Sequence, residues 1–399
     1  MTSTNVPDGS AADHVRTGAR SGGAASWLAK ALAVLDAAPL IDGHNDLPYA
    51  MRTAFDYDLA RADIAARQPT LRTDIPRLRE GRVGAQFWSA YVPSDLPEPE
   101  AVVATLEQID FIHRLTRAHP ETFQPARTAA DVRDAFGAGR IASLIGLEGG
   151  HSIAGSLGVL RVLFTLGARY MTLTHNDNTG WADSATDVPR HGGLSDFGKS
   201  VVSEMNRLGM MVDLSHVSSQ TMHDALDTTA APVIFSHSCC TAICDSRRNV
   251  PDDVLLRLPD NGGVLMVALV PGFLSQARTD WTRELSSVRA EHDDPGQGES
   301  TPEVRRWLER NPQPPVTVAD FADHIDHARE VAGIDGIGIG GDYDGCVDAP
   351  EGLEDVSAYP RLVAELLERG YSDSDLRKII GANVLRVLEL NEEVSRSHA

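Results

Sequence analysis

Imidazole and carboxylate side chains occur in this sequence at spacings that suit metal binding. His44 and Asp46 are separated by one residue, so both can converge on one ion. Glu148 carries two oxygens and can bridge two ions, and His216 and His237 would complete the ligands of the second ion. Imidazole nitrogen and carboxylate oxygen together are typical ligands of zinc, which takes about four or five of them. The residue types therefore predict a centre of two Zn²⁺ ions.

A centre of two metal ions predicts hydrolysis of an amide bond. Two ions roughly 3.5–4 Å apart lower the pKa of a shared water, and the resulting hydroxide can attack an amide carbon. Asp342 is placed to accept a proton from this nucleophile and to pass it to the leaving amine. His175 could donate a hydrogen bond to the oxyanion. Either Arg247 or Arg248 could clamp a substrate carboxylate.

Eight short segments rich in apolar and β-branched residues would position these side chains. Helical patterns lie between several of them, which favours a parallel sheet covered by helices. Eight such units in 399 residues fit a (β/α)8 barrel of the TIM type, an α/β fold whose active-site residues lie at the C-terminal ends of the strands. The predicted strands are residues 39–44, 83–89, 142–148, 170–175, 209–216, 232–237, 262–268 and 336–342. The candidate residues at these ends are His44, Glu148, His175, His216, His237 and Asp342.

We expect one metallohydrolase domain over residues 25–399, preceded by a flexible N-terminal tail over residues 1–24. The tail is rich in Gly, Ser and Ala, whereas apolar residues from Trp27 to Leu35 recur at helical spacing and predict a helix that packs on the barrel. A long polar insertion at residues 272–316 follows the seventh predicted strand, on the active-site face. A lid over the site and a solvated surface insertion both fit this segment.

The composition excludes two classes of partner. The chain has 36 basic and 57 acidic residues and a net charge of −21, so it repels nucleic acid and anionic membranes. No apolar run approaches the roughly 20 residues needed to cross a bilayer, and the N-terminus shows no basic region followed by an apolar core. The four cysteines show no disulfide pattern. We therefore expect a cytoplasmic protein that binds neither nucleic acid nor membrane.

Seven motifs, in order along the chain, resemble the membrane (renal) dipeptidases, peptidase family M19. The resemblance extends from about residue 36 to the end, and the motifs are specific when taken together. They are IDGHNDLP at residues 41–48, EGG at 148–150, TLTHN at 172–176, DLSHVS at 213–218, FSHS at 235–238, SRRNVPDD at 246–253 and GGDYDG at 340–345.

The resemblance implies an amidohydrolase-type barrel with two zinc ions. It implies that His44 and Asp46 bind one ion, that Glu148 bridges, and that His216 and His237 bind the other. It also implies a role in the reaction for three further residues. His175 and Arg248 would contact the substrate, and Asp342 would carry the proton. Members of the family cleave dipeptides, often with a D-residue at the C-terminal position, and are often dimers, so we expect a homodimer. The animal enzymes are secreted and lipid-anchored, whereas this sequence shows neither a signal nor an anchor tail.

Two alternative functions remain open from the sequence. The same metal site could hydrolyse another small amide, such as an N-acyl amino acid or a lactam, or the barrel could bind a ligand without catalysis.

Three other patterns in the sequence are weaker indicators of function. The glycines at 336, 338 and 341 match a dinucleotide fingerprint by letter but lie within a strand. His324 and His327 are flanked by charged residues, which predicts a solvated helix face. Asp213 could orient a metal ligand or serve the fold alone.

Overall fold

Parallel strands close into a barrel in this structure, a computed structural model that describes residues 19–296 and 300–397. The eight predicted strands are confirmed within it, and a ninth short strand, β3, is added. The strands are β1 (Leu40–Asn45), β2 (Val83–Tyr91), β3 (Phe123–Pro125), β4 (Ile141–Glu148), β5 (Ala168–Thr172), β6 (Met211–Asp213), β7 (Ile234–Ser238), β8 (Val264–Ala268) and β9 (Ile337–Gly340).

Every pairing in the sheet is parallel, and a β2–β4 pairing closes the ring. The neighbours run β2, β1, β9, β8, β7, β6, β5, β4, with β3 beyond β4. β3 pairs with the start of β4, from Phe123 opposite Ile141 to Pro125 opposite Ser143, whereas β5 pairs with β4 from Ile145 onward. The fold is therefore the predicted (β/α)8 barrel, and all eight barrel strands present their C-terminal ends at one face.

Helices surround the barrel and fill the connections between strands. They are α1 (Ala19–Ala37), α2 (Leu47–Phe55), α3 (Ile75–Glu80), α4 (Glu98–Ala118), α5 (Ala129–Gly137), α6 (Leu157–Leu166), α7 (Asp196–Leu208), α8 (Ser219–Thr228), α9 (Asp252–Leu255), α10 (Leu258–Asn261), α11 (Pro271–Leu274), α12 (Gln276–Glu291), α13 (Pro302–Arg310), α14 (Val318–Ala332), α15 (Tyr359–Glu368), α16 (Asp373–Arg377) and α17 (Asn383–Ser397). A π-helical turn, Lys378–Ala382, joins the last two. α1 packs on α15. The predicted tail at residues 1–24 lies outside the described residues up to residue 18.

Both faces of the barrel wall are packed, as expected for strands that read as continuous apolar runs. Neighbouring residues along a strand fall in different apolar clusters: Leu40 and Trp88 in one, Ile41 and Phe87 in the other. Tyr170 of β5 reaches across to the backbone of β1, which is not its neighbour in the sheet, so its side chain lies inside the barrel. The site at the strand ends therefore lies above a filled interior.

The polar insertion after β8 is folded into α11, α12 and α13. Trp281 of α12 packs on Trp307 of α13, with ring centroids 5.7 Å apart. Arg278 of α12 donates to the carbonyl of Pro314 and pairs with Asp348 in the loop after β9. These contacts tie the insertion to the active-site face of the barrel.

Candidate metal centre

The strand ends bring the predicted ligands together at one mouth of the barrel. His44 lies in β1 with Asp46 just beyond it, Glu148 ends β4, and His237 lies in β7. His216 follows β6 by three residues. Three overlapping groups of ligand atoms each lie within 4.8 Å of one another. The groups are His44, Glu148 and His237; Glu148, His175 and His216; and His44, Asp46 and Asp342.

The two oxygens of Glu148 face different histidines. Oε2 lies 3.3 Å from Nε2 of His44. Oε1 lies 3.2 Å from Nε2 of His216 and 3.6 Å from Nε2 of both His237 and His175. A carboxylate arranged in this way can offer one oxygen to each of two neighbouring cations.

The separations between these atoms fit zinc. Zinc bonds of about 2.0–2.1 Å in a tetrahedron place neighbouring ligand atoms roughly 3.3 Å apart. Nε2 of His44 lies 3.2 Å from Oδ2 of Asp46, and Nε2 of His216 lies 2.9 Å from Nε2 of His237. Among the described residues, Nε2 of His44 and Oδ1 of Asp46 are buried without a hydrogen-bond partner. Leaving such atoms unpaired costs about 1–3 kcal/mol each, so the set is suited to a bound cation.

Hydrogen bonding behind His44 directs its other nitrogen toward the site. The hydroxyl of Tyr170 donates to the carbonyl of Gly43 at 3.0 Å and lies 2.9 Å from Nδ1 of His44. Since the tyrosine has one proton and gives it to the carbonyl, Nδ1–H of His44 donates to the tyrosine oxygen. When His44 is neutral, its one ring proton is therefore on Nδ1, and Nε2 carries the lone pair that a metal ion needs.

Two predicted site residues have left-handed backbones, which non-glycine residues rarely adopt. His216 has φ of 70° and Asp342 has φ of 55°. The carbonyl of His216 accepts hydrogen bonds from the backbone of Ala185 and the hydroxyl of Thr174. The backbone N–H of Asp342 donates to the carbonyl of His44. Each such residue costs on the order of 1–2 kcal/mol, and these contacts hold both in place.

Burial and neighbouring side chains together set the protonation states of the metal-free site. It lowers the pKa of His216 and His237 well below the usual range, so both are neutral and keep a lone pair. Burial raises the pKa of Glu148, but the neighbouring His44 and His216 outweigh it and hold that pKa well below its ordinary value. Burial also raises the pKa of Asp342 well above the usual range, which suits a group that takes up and releases a proton.

Only one of the two candidate arginines is buried at the site. Arg248 is 6% exposed, its guanidinium lies over the ring of Phe273 at 5.2 Å, and Nη2 donates to the carbonyl of His237. Its Nη1 is buried and has no hydrogen-bond partner within residues 19–296 and 300–397. Burial lowers the pKa of Arg248 to about 10, so it remains charged. Arg247 is exposed to solvent.

Aromatic side chains at the mouth were missed by sequence reasoning. Tyr91 ends β2 directly opposite Glu148, and its ring lies 4.6 Å from the ring of His175. The ring of Tyr49 lies 4.7 Å from that of Tyr91, edge to face. The predicted strand ended at Ser89. Extending the prediction to the next polar residue, Tyr91, would have placed its side chain at the mouth of the barrel.

The structure corrects the prediction of a solvated face at His324 and His327. His324 is fully buried: its Nδ1 accepts from the backbone N–H of Cys240 at 3.0 Å, and its Nε2 donates to the carbonyl of Leu274 at 3.1 Å. His327 is half-buried. The charged neighbours of His324 in the sequence pointed wrongly to a solvated face. Phe321 lies one turn earlier on the same helix face and is buried, so its apolar side chain was the better indicator that His324 is buried.

Known proteins match almost the whole chain. The family model described as membrane dipeptidase, peptidase family M19, matches residues 28–399. The chain is 44% identical over 379 residues to Dipeptidase verJ of Clonostachys rogersoniana, covering 92% of this chain and 88% of that protein. It is 43% identical over 371 residues to Dipeptidase 3 of Mus musculus, covering 92% and 67%. The crystal structure of the probable dipeptidase PvdM from Pseudomonas aeruginosa shares the fold, with a TM-score of 0.80, 23% identity, and 93% and 99% coverage.

These matches contradict the expected cytoplasmic location. The family is described as membrane dipeptidase, and Dipeptidase 3 of Mus musculus is among the relatives, so the cytoplasmic prediction was wrong. The prediction had rested largely on cysteines without a disulfide pattern, which are a poor guide to location because a chain of this size needs no disulfides in any compartment. The expected absence of a membrane partner loses its support through the same matches. None of the helices in the described part of the chain is long and apolar enough to cross a bilayer.

Proposed function

The chain belongs to the membrane dipeptidase family, peptidase family M19, and we propose that it cleaves dipeptides at a centre of two zinc ions. The family makes the protein a metallopeptidase that hydrolyses the peptide bond of dipeptides. The proposal adds the identity and number of the metal ions, the role of each side chain, and acceptance of a D-residue at the C-terminal position.

The observation that carries the proposal is the orientation of Glu148. Its Oε2 faces His44 and its Oε1 faces His216, at separations of 3.3 and 3.2 Å. His44 and Asp46 would hold one ion with Oε2, and His216 and His237 would hold the other with Oε1. When bound, the two ions would supply an activated water as the nucleophile and polarise the scissile carbonyl.

Arg248 would select substrates with a free C-terminal carboxylate. Its buried Nη1 has no hydrogen-bond partner among the described residues, and its guanidinium is held against Phe273. A guanidinium can bind a carboxylate through two parallel hydrogen bonds. A substrate anchored there by its C-terminus would present its last peptide bond to the metal ligands, so cleavage would require a free C-terminal carboxylate.

His175 and Asp342 would handle the charge and the proton of the reaction. Burial lowers the pKa of His175, so its ring is neutral and has one N–H to donate to the developing oxyanion. Asp342 shares a cluster with His44 and Asp46, the two residues that would hold one of the ions. Its carboxylate would accept the proton of the attacking water and pass it to the amine as the peptide bond breaks.

The first experiment is release of free amino acids from a panel of dipeptides. L,L and L,D dipeptides are compared with their C-terminal amides, using zinc-loaded and chelator-treated protein side by side. We expect metal-dependent cleavage of free dipeptides and resistance of the amides. If the zinc-loaded protein cleaved N-acyl amino acids or lactams but no dipeptide, its substrates would be these other small amides and the proposal would be overturned.

Asp342→Asn tests the role of Asp342 as the proton carrier. The amide has nearly the same shape but cannot accept the proton, so we expect kcat to fall by about 10²- to 10⁴-fold while the zinc content stays at two ions per chain. Normal kcat in this variant would show that another group carries the proton.

The homodimer implied by the family resemblance remains a proposal. Light scattering on the purified protein at several concentrations tests it. A mass of one chain, 43.0 kDa, at every concentration would contradict it.

A further inference from the structure

A chain of hydrogen bonds runs from the barrel interior to the proposed metal ligand His237. It starts at Asp213, the last residue of β6, which is fully buried. Oδ2 of Asp213 lies 2.5 Å from Oγ of Ser236 on the neighbouring strand β7. The same Oγ lies 2.8 Å from Nδ1 of His237. The three side chains therefore form one continuous path from a carboxylate to the imidazole.

The direction of each hydrogen bond follows from the number of available protons. Oδ1 of Asp213 accepts from the backbone N–H groups of Ser215 at 3.1 Å and Ser236 at 2.9 Å. A carboxylate surrounded by donors only accepts, so the single hydroxyl proton of Ser236 points to Asp213. The serine oxygen is then left to accept from Nδ1–H of His237. Nε2 of His237 consequently carries the lone pair, 2.9 Å from Nε2 of His216.

We propose that Asp213, acting through Ser236, is a positioning residue that fixes the tautomer and the ring orientation of His237 for metal binding. Histidine ligands commonly donate their second nitrogen to a carboxylate, and loss of that partner typically weakens metal affinity by about 10- to 100-fold. Here a serine is inserted between the carboxylate and the ring. The inference deepens the proposed two-zinc centre and rests on it.

A second buried aspartate, Asp42, also accepts hydrogen bonds from two backbone N–H groups and one hydroxyl, but among the described residues that hydroxyl does not hydrogen-bond to a histidine. Oδ1 of Asp42 accepts from the backbone N–H groups of His44 and Gly341, and Oδ2 accepts from the hydroxyl of Tyr359 at 2.6 Å. Within the described part of the chain, the Tyr359 hydroxyl has this hydrogen bond alone. Asp42 therefore braces the ends of β1 and β9, whereas Asp213 also controls a ligand ring. Tyr359→Phe thus removes a hydroxyl from a buried aspartate without touching the imidazoles.

The experiment measures the affinity of each zinc ion by competition with a chromogenic chelator, in wild-type protein and in three variants. We expect Ser236→Ala to weaken one of the two ions by about 10- to 100-fold and to leave the other unchanged. Tyr359→Phe should leave both affinities within about threefold of wild type. Circular dichroism and the unfolding temperature of each metal-free variant check that it folds.

Asp213→Asn separates tautomer control from simple packing. The side-chain amide can keep its oxygen toward the backbone donors and present its N–H₂ to Ser236. The serine proton would then turn to Nδ1 of His237 and move the ring proton to Nε2, where it blocks metal binding. We therefore expect a loss at least as large as in Ser236→Ala, although the shape of the side chain is unchanged. This variant also decides the question if Ser236→Ala fails to fold.

The outcomes separate this inference from the proposed function. Wild-type protein that binds fewer than two zinc ions would remove the centre on which the inference rests. Two ions in wild type, with equal losses in Ser236→Ala and Tyr359→Phe or equal losses at both ions, would show a merely structural role for Asp213 and overturn the inference alone.

Discussion

The two sides of the site are built in different ways. On the β1 side, His44 and Asp46 come from one short stretch of chain, with His44 in β1 and Asp46 directly after it. On the β6–β7 side, His216 lies in the loop after β6 and His237 lies in β7. His216 needs a left-handed backbone to reach its position. One side is therefore specified locally, whereas the other is assembled from contacts distant in sequence.

The histidines of the two sides are also supported differently. Nδ1 of His44 and Nδ1 of His237 both have partners, Tyr170 and Ser236. Nδ1 of His216 is buried and has no partner among the residues that the structure describes. The β6–β7 side thus relies on one well-oriented ring and one strained backbone, and we expect the ion bound there to be the more sensitive to distant substitutions.

Glu148→Gln should have the largest effect, because Glu148 is the residue that joins the two sides. A glutamine has one oxygen and one N–H₂ and cannot offer an oxygen to each of two cations. We expect the zinc content to fall below two ions per chain and kcat/KM to fall by at least about 10³-fold, since a metal ion contributes several kcal/mol to the transition state.

The control for Glu148→Gln is Ser89→Ala. It removes the hydroxyl that donates to Oε2 of Glu148 at 2.9 Å and leaves the carboxylate in place. This variant should keep both ions. Two tightly bound zinc ions in Glu148→Gln, measured by elemental analysis after dialysis, would contradict a bridging carboxylate.

Tyr170→Phe should have an intermediate effect and act on the β1 side. The phenyl ring keeps the packing inside the barrel but removes the hydroxyl that orients His44. We expect the ion at His44 and Asp46 to weaken by about 10- to 100-fold, with the other ion unchanged. Chelator competition tests this, and weakening of the His216–His237 ion instead would reverse the assignment of the two sides.

The sequence was informative where structure is local. Most barrel strands are apolar runs followed by a polar residue at or just beyond the strand end, so these side chains could be predicted from the residues alone. His44 and Asp46 share a motif, and Glu148 ends β4 as predicted. The short β3 was missed because three residues carry too little pattern to distinguish a strand from a loop.

The support behind the ligands could not be predicted in the same way. Tyr170 reaches His44 across the barrel, and Ser236 reaches Asp213 on the next strand. Both contacts depend on how the strands are staggered when the barrel closes, which no single strand encodes. The left-handed backbone of His216 also depends on the loop that holds Ala185 and Thr174.

His324→Asn should give the smallest effect and tests whether the buried histidine that links the β7 side to α14 and α11 makes the fold sensitive to acid. His324 of α14 joins the N–H of Cys240, three residues after His237, to the carbonyl of Leu274 in α11. Burial lowers its pKa from 6.5 to about 4. Between these pH values the unfolded chain binds a proton that the folded protein does not, so stability falls as the pH decreases from 6.5 towards 4.

At pH 5 this loss amounts to about 2 kcal/mol relative to pH 8, because each pKa unit corresponds to about 1.4 kcal/mol. Asparagine cannot be protonated, so the loss of stability between pH 8 and pH 5 should be smaller in His324→Asn by about that amount. Urea unfolding of the metal-free protein at both pH values measures it. His223→Asn, at a more exposed histidine, serves as the control. An unchanged pH dependence in His324→Asn would show that His324 contributes nothing to the acid sensitivity of the fold and would contradict a neutral, buried histidine at this position.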